Sequence, residues 1–355
     1  MSGPDLDGVP GAWINSPEQT VRRPRRRRAD DVMVPEAAFT SYYGRPVVKP
    51  APWKHEIPAY LFLGGLAAGS ALIASGAELT GRVTLQRNAR LVALAALSGS
   101  GAVLVADLGK PSRFLNMMRT VKLTSPMSVG SWILAGQGTF TSAAAACEVA
   151  RFVVPEGSRV ARWLPPADRV ASIGAALFAP PLAAYTAVLL SDTATPTWHE
   201  AYHELPYVFV ASGLAAGAGA ALVTTPPAEC GPVRRLAVGA IAAELFALHR
   251  MERRMGLVAE PLGQGRAGAW MRASTVASVA GAVLTEVAGR RRPAAIAGGL
   301  ALLAGSVATR FGVFEAGLAS ARDPKYTVVP QRARANARAR AAAGEPVRRP
   351  GISGL

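Results

Sequence analysis

The chain has 355 residues, of which 50% are hydrophobic and 17% charged, with a formal net charge of +16 at pH 7. Its charges are bunched between long uncharged runs, which excludes an ordinary water-soluble domain and points to a protein of the membrane. The positive excess gathers in polar ends, at Arg22, Arg23 and Arg25 to Arg28 and at Arg332, Arg334, Arg338, Arg340, Arg348 and Arg349; it reads as a topology signal or a contact with anionic lipid, and nucleic acid is not an expected partner.

In chain order, residues 1–52 are rich in Pro, Arg, Asp and Gly and show no helical period, so a disordered basic tail is expected. No short apolar region with a small-residue cleavage site follows its arginines, so no removable signal peptide is expected. Trp53, Lys54 and Tyr60 bracket the start of the first apolar run, Ile57 to Ala77, as interfacial anchors do. His55 and Glu56 stand at the same boundary. The second run, Leu91 to Ala106, leads into Asp107-Leu108-Gly109-Lys110-Pro111-Ser112-Arg113-Phe114, where Gly and Pro predict a turn with Asp107 and Arg113 facing one another across it. A short interfacial helix from Phe114 is expected next. Ser125 as N-cap and Pro126 at the first helical position open the third run, Ser128 to Cys147.

Residues 151–169 read as a loop returning to the fourth run, Val170 to Leu190. Pro180 and Pro181 are expected to interrupt that helix one turn before Tyr185, which marks Tyr185 as a cavity residue. Asp192 to Tyr202 reads as a polar loop. Four further runs follow: Leu205 to Thr225, Leu236 to Leu248 with Glu244 inside it, Ala273 to Thr285, and Pro293 to Thr309. A bilayer core of about 30 Å takes roughly 20 apolar residues in a helix, so eight spans are expected, the sixth and seventh with the weakest signal.

The chain repeats itself. His55-Glu56-Ile57-Pro58 followed by Gly65-Leu66-Ala67-Ala68-Gly69 recurs 148 residues later as His203-Glu204-Leu205-Pro206 followed by Gly213-Leu214-Ala215-Ala216-Gly217, with eight identities in fifteen positions. The fold expected is therefore all-α and polytopic, with eight transmembrane helices in two repeated four-helix bundles, 53–192 and 193–321, between the tail 1–52 and a basic tail 322–355. Each Gly-x-x-x-Gly puts two glycines on one face, where another backbone can come close. A modest excess of basic residues on the side of the termini places them in the cytoplasm, under a bacterial cell membrane.

Several residues admit both a chemical and a structural reading. His55 with Glu56 suits a quinone headgroup, whose carbonyl accepts a hydrogen bond and whose reduction demands protons; it suits equally a helix start in which Glu56 complements the dipole. Asp107 and Arg113 form a proton-linked pair near the same headgroup or a clasp closing the turn. Glu78, Glu148 and Glu286 lie close enough to span ends to reach water, whereas Glu244 lies within a span and reads as part of a proton path or as a protonated carboxyl bonded to a neighbouring helix. The four histidines stand at span boundaries, so an intramembrane bis-histidine haem is not expected, and two cysteines do not make an iron–sulfur site. No catalytic centre and no metal site are expected in the chain.

Four motifs in order, Tyr60-Leu61-Phe62-Leu63-Gly64-Gly65-Leu66-Ala67-Ala68-Gly69, Asp107 to Phe114, Ser125-Pro126-Met127-Ser128-Val129-Gly130-Ser131-Trp132 and Tyr185-Thr186-Ala187-Val188-Leu189-Leu190-Ser191, resemble the polysulphide reductase membrane subunit (NrfD-like) family. The resemblance implies a membrane anchor and quinone-reactive subunit of a multi-subunit oxidoreductase, without haem or cluster of its own. It would pass electrons between menaquinone, or another quinone, and a four-cluster ferredoxin-like iron–sulfur subunit joined to a molybdopterin catalytic subunit. Carried over by motif, the quinone site falls on His55, Tyr185, Asp107 and Arg113; Glu56 there and Glu244 in a proton path follow from position alone. The alternatives are a proton-translocating subunit and a purely anchoring one without a quinone site.

Overall fold

The computed structural model describes residues 46–107, 116, 118–155 and 157–342. Lys110, Arg113 and the rest of the turn after Asp107, the arginines before residue 46, and Arg348 and Arg349 lie outside the described residues. The expected Asp107–Arg113 pair and the short helix from Phe114 fall there.

Among the described residues every regular element is helical. Four long helices, α1 (Glu56–Leu79), α2 (Val83–Asp107), α3 (Pro126–Val153) and α4 (Arg159–Ser191), are followed by a short α5 (Pro196–Glu200). Then come α6 (Leu205–Thr224), α7 (Gly231–Met255), a 3-10 turn, a one-turn α8 (Glu260–Gly263), α9 (Gly265–Ala288), α10 (Arg292–Arg322) and α11 (Lys325–Ala342). Five of them, α1, α2, α4, α6 and α10, are long and apolar enough to cross a membrane. Helices α3, α7 and α9 have comparable lengths of 28, 25 and 24 residues but carry more polar side chains.

Local chemistry sets the helix ends. The Ser125 hydroxyl accepts from the Ser128 N–H at 3.5 Å, with Pro126 at the first position, as expected from sequence. Two local expectations are corrected. Helix α4 starts at Arg159 and runs unbroken through Pro165, Pro166, Pro180 and Pro181, because the carbonyls that a proline leaves without a donor do not oblige the helix to stop. The 192–202 segment is packed and partly helical: Trp198 is wholly buried and its indole N–H donates to the Val313 carbonyl at 2.8 Å. Within the basic C-terminal tail, residues 325–342 are helical and form α11.

Helix α1 packs against α2, α4, α6 and α10, and α6 against α7, α10, α1 and α4. Helix α3 meets α2 and α4, and α9 meets α7 and α10. The two glycine-bearing copies of the repeat thus lie against each other at the centre. A Cβ added at Gly213 would sit 2.9 Å from the Gly65 carbonyl oxygen, and one at Gly217 would sit 2.6 Å from the Gly69 carbonyl carbon. The neighbour that the Gly-x-x-x-Gly spacing calls for is the other copy of the same motif.

At the far end of α1 a second polar feature ties the first four helices together. Arg90, 3% exposed, reaches Glu148 at 3.0 Å, Asp168 at 2.9 Å, Glu78 at 3.3 Å and the Ser172 hydroxyl at 2.7 Å. Arg151 closes the set on Asp168 at 2.5 Å. Glu148 is therefore buried in an ion cluster and does not reach water as the sequence had suggested.

Glu229, in the loop before α7, caps α2 from outside by accepting from the Leu85 N–H at 2.9 Å. Burial pushes its carboxyl up, but hydrogen bonds from Thr84 and Leu85, with Arg82 nearby, outweigh this and hold it below the usual carboxylate range. Such a depressed carboxyl stabilises above its unfolded pKa and ceases to do so as the pH falls through its folded one. Glu229→Ala is expected to cost about 1 kcal/mol, in the manner of a lost cap. The check is the thermal midpoint in detergent: the difference from wild type should be present at pH 7 and shrink under acid.

Candidate functional site

A cleft opens where the starts of α1 and α3 meet the ends of α2 and α4, with room of about 80 Å³. Each helix supplies one stripe to it, spaced as one face of a helix requires: Ile57 and Tyr60 from α1, Leu104 and Asp107 from α2, Met127, Ser131 and Leu134 from α3, Tyr185 and Leu189 from α4. Trp53 completes the wall from the segment ahead of α1. It is held from behind by Trp198, whose ring stacks on it at 5.8 Å and is itself tilted against Phe314 at 5.6 Å.

Tyr60 and Tyr185 are 3% and 8% exposed and both line the cleft. A phenol hydroxyl lining a cleft can donate to a ligand or to water. Ser131 already spends its hydroxyl on the Met127 carbonyl at 2.9 Å. Asp107 is exposed and stands at the open end. The cleft therefore offers donors at its floor, aromatic and aliphatic walls, and a carboxylate where it meets water.

The position of Tyr185 is fixed by a glycine. Its ring lies on the face of α3 at Gly130, so close that a Cβ there would overlap the ring atoms. The same device recurs along this helix pair, with Phe178 lying on Gly136 and Phe140 on Gly174, the two rings stacked at 5.7 Å.

Of the sequence candidates, the fold brings Asp107 and Tyr185 together. His55 and Glu56 remain exposed on the rim and do not line the cleft. His55 and Tyr60 are five residues apart, about 140° around a helix, so they present different faces. The imidazole of His55 turns towards α10, where Nε2 lies 3.9 Å from Glu315 Oε1 and the ring stacks on Phe311 at 6.3 Å. The second copy of the motif has another use: Glu204 is 4% exposed and accepts from Arg254 Nε at 3.0 and 2.9 Å. It is a clasp between α6 and α7, whereas among the described residues Glu56 makes no ion pair.

Glu244 lies apart from the cleft, among α6, α7, α9 and α10. It is 2% exposed; Oε1 accepts from the Thr309 hydroxyl at 2.7 Å, and Oε2 has no partner among the described residues. Arg310, wholly buried beside it, donates from Nη2 to the Phe209 carbonyl at 2.8 Å and leaves Nε and Nη1 without partners.

Tyr60, Ser131, Gly130 and Trp198 were not singled out as site residues from the sequence. Their signal was present: Ile57 and Tyr60, or Met127, Ser131 and Leu134, are helical stripes that need a facing partner. No group of three His, Cys, Asp or Glu side chains able to hold a metal ion occurs among the described residues.

Among curated proteins none matches the chain. The profile of the family described as "Polysulphide reductase, NrfD" matches residues 47–248, which takes in α1 to α6 and most of α7 and therefore every residue of the cleft. With more than half of its length matched, the chain belongs to the polysulphide reductase NrfD family, whose members are membrane subunits of oxidoreductase complexes.

Proposed function

We propose that the protein is the quinone-reactive membrane subunit of such a complex, exchanging electrons between a menaquinone-type carrier and a partner iron–sulfur subunit. All eight long helices cross the bilayer in this reading, as two related sets of four. The observation that carries it is the convergence of two largely buried tyrosines, Tyr60 and Tyr185, with Asp107 in one cleft at the start of α1. A quinone bound there supplies the exchange of two electrons and two protons. The Tyr185 and Tyr60 hydroxyls donate to a carbonyl edge, Trp53 and Leu189 exclude water from the ring, and Asp107 at the open end holds a proton between the cleft and water. His55 and Glu56, exposed at the same boundary, belong to the exchange of that proton with solvent and not to the headgroup contact. The four-cluster iron–sulfur partner, itself joined to a molybdopterin subunit, docks on this face, where Arg119 and Lys122 are exposed. The complex purified with its companions should contain iron and quinone and no haem. A chain that purifies without quinone, in a complex active only with soluble artificial donors, would refute the proposal and leave an anchor.

A second reading is supported by Glu244 and Arg310, buried with unpartnered polar atoms in the other set of helices. Such a pair suits a proton-carrying position coupled to electron transfer. Under it, Glu244→Gln removes proton release into sealed vesicles while electron transfer continues; vesicles that still acidify would exclude it.

A further inference from the structure

We infer that the outward-facing groove between α3 and α4 seats the isoprenoid tail of the quinone, with Tyr185 as the partition between tail and headgroup. This inference rests on the quinone reading above and assigns a further part of the same ligand. Tyr185 lines two spaces at once: the inner cleft and, on its other side, an outer groove with room of about 370 Å³. The inner space, about 80 Å³, is small beside the roughly 300 Å³ at which ligand pockets begin. Joined past the Tyr185 ring to the outer one, it falls within that range.

The outer groove is the first of three spaces that follow one another along the helix pair. Through Val129 and Ile133 it joins a second stretch of about 410 Å³, and through Thr139 a third of about 460 Å³ that ends at Trp163. From Val129 to Ala143 it follows α3 for about 21 Å, most of the thickness of a hydrocarbon core. It exists because α3 is thin on this side: Gly136 lets Phe178 lie flat across it, and Gly174 does the same for Phe140, so the rings form the floor of a channel.

The occupant is an apolar chain whose polar end lies inward at Tyr185. Among the described residues the groove mouth is lined by Thr124 and Asp192 and by no basic side chain, so the lining offers a phospholipid phosphate a carboxylate and no cation. A quinone tail carries no charge, and its ring is already placed on the inner side of Tyr185.

The test uses the intact complex and two substrates, a long-tailed menaquinol and a tailless naphthoquinol. Thr139→Trp and Ile133→Trp fill the groove without touching the inner cleft, and Leu177→Trp, on the exposed surface of α4 outside the groove, is the control. Both groove variants should raise the ratio of the long-tail KM to the tailless KM by about tenfold, the loss of roughly two buried methylenes, and the control should leave it unchanged. An unchanged ratio in both groove variants, or a rise in both KM values together, overturns the groove assignment and leaves the quinone reading standing. A wild-type complex that oxidises neither quinol overturns the quinone reading itself, and the groove with it.

Discussion

Gly130→Val is expected to reduce quinol-linked turnover by a hundredfold or more, about the contribution of a positioned proton donor, in a complex that still assembles. The valine has no room, because the Tyr185 ring occupies the place of its Cβ. Either the ring swings out of the cleft towards the outer groove, or α3 and α4 separate there. Tyr185→Phe keeps the packing and removes only the hydroxyl, so it should reproduce the loss with no change in assembly. If Gly130 acts through that hydroxyl alone, the double variant is no worse than the poorer single one, as expected for residues acting as a unit. Turnover measured with a quinol and with an artificial donor to the partner separates the outcomes. Gly130→Val with normal quinol turnover would show that the Tyr185 hydroxyl has no part in the reaction.

Arg90→Met is expected to have the largest effect on folding. It leaves Glu78, Glu148 and Asp168 sharing a buried space with only Arg151 to offset them, and Arg151 is half in solvent. Breaking a buried ion cluster by removing one sign costs about 3–5 kcal/mol, because the remaining charges keep their desolvation penalty. That is a large share of the stability of a typical domain. The yield of monodisperse protein in detergent should fall several-fold and the thermal midpoint with it. Neutralising the partners as well, as Arg90→Met with Glu148→Gln and Asp168→Asn, should recover much of the loss, since both signs are then removed together. A single variant with wild-type yield and midpoint would mean that the carboxylates are protonated or solvated in the native protein, and the cluster would lose its structural role.

How much was legible in the sequence differs from feature to feature. The helix starts at Ser125-Pro126 and at the two His-Glu-x-Pro motifs follow from chemistry within one turn, and the structure keeps them. The prolines of α4 misled, since proline removes a bond without fixing what the neighbouring helices do with the freed carbonyl. Glu148 misled for a related reason: its distance from the span end is a one-dimensional measure, and Arg90 reaches it from another helix. Tyr185 and Asp107 were legible as motif residues, and Tyr60 only as an anchor, because a helical stripe states that it faces something and not what.

By itself the sequence determined that the chain is helical and apolar enough for a membrane, that it carries one motif twice, and that glycine pairs on two helices demand close neighbours. These depend on composition, period and spacing, which are local. Only the tertiary structure decided that the two glycine motifs meet each other, that Glu204 became a clasp while Glu56 stayed exposed, and that Tyr60, Asp107 and Tyr185 share a cleft from which His55 turns away. Each of those depends on which helix stands beside which, and on its rotation about its own axis. A change of about 100° per residue around a helix is enough to put two neighbours in the sequence on opposite sides of a wall.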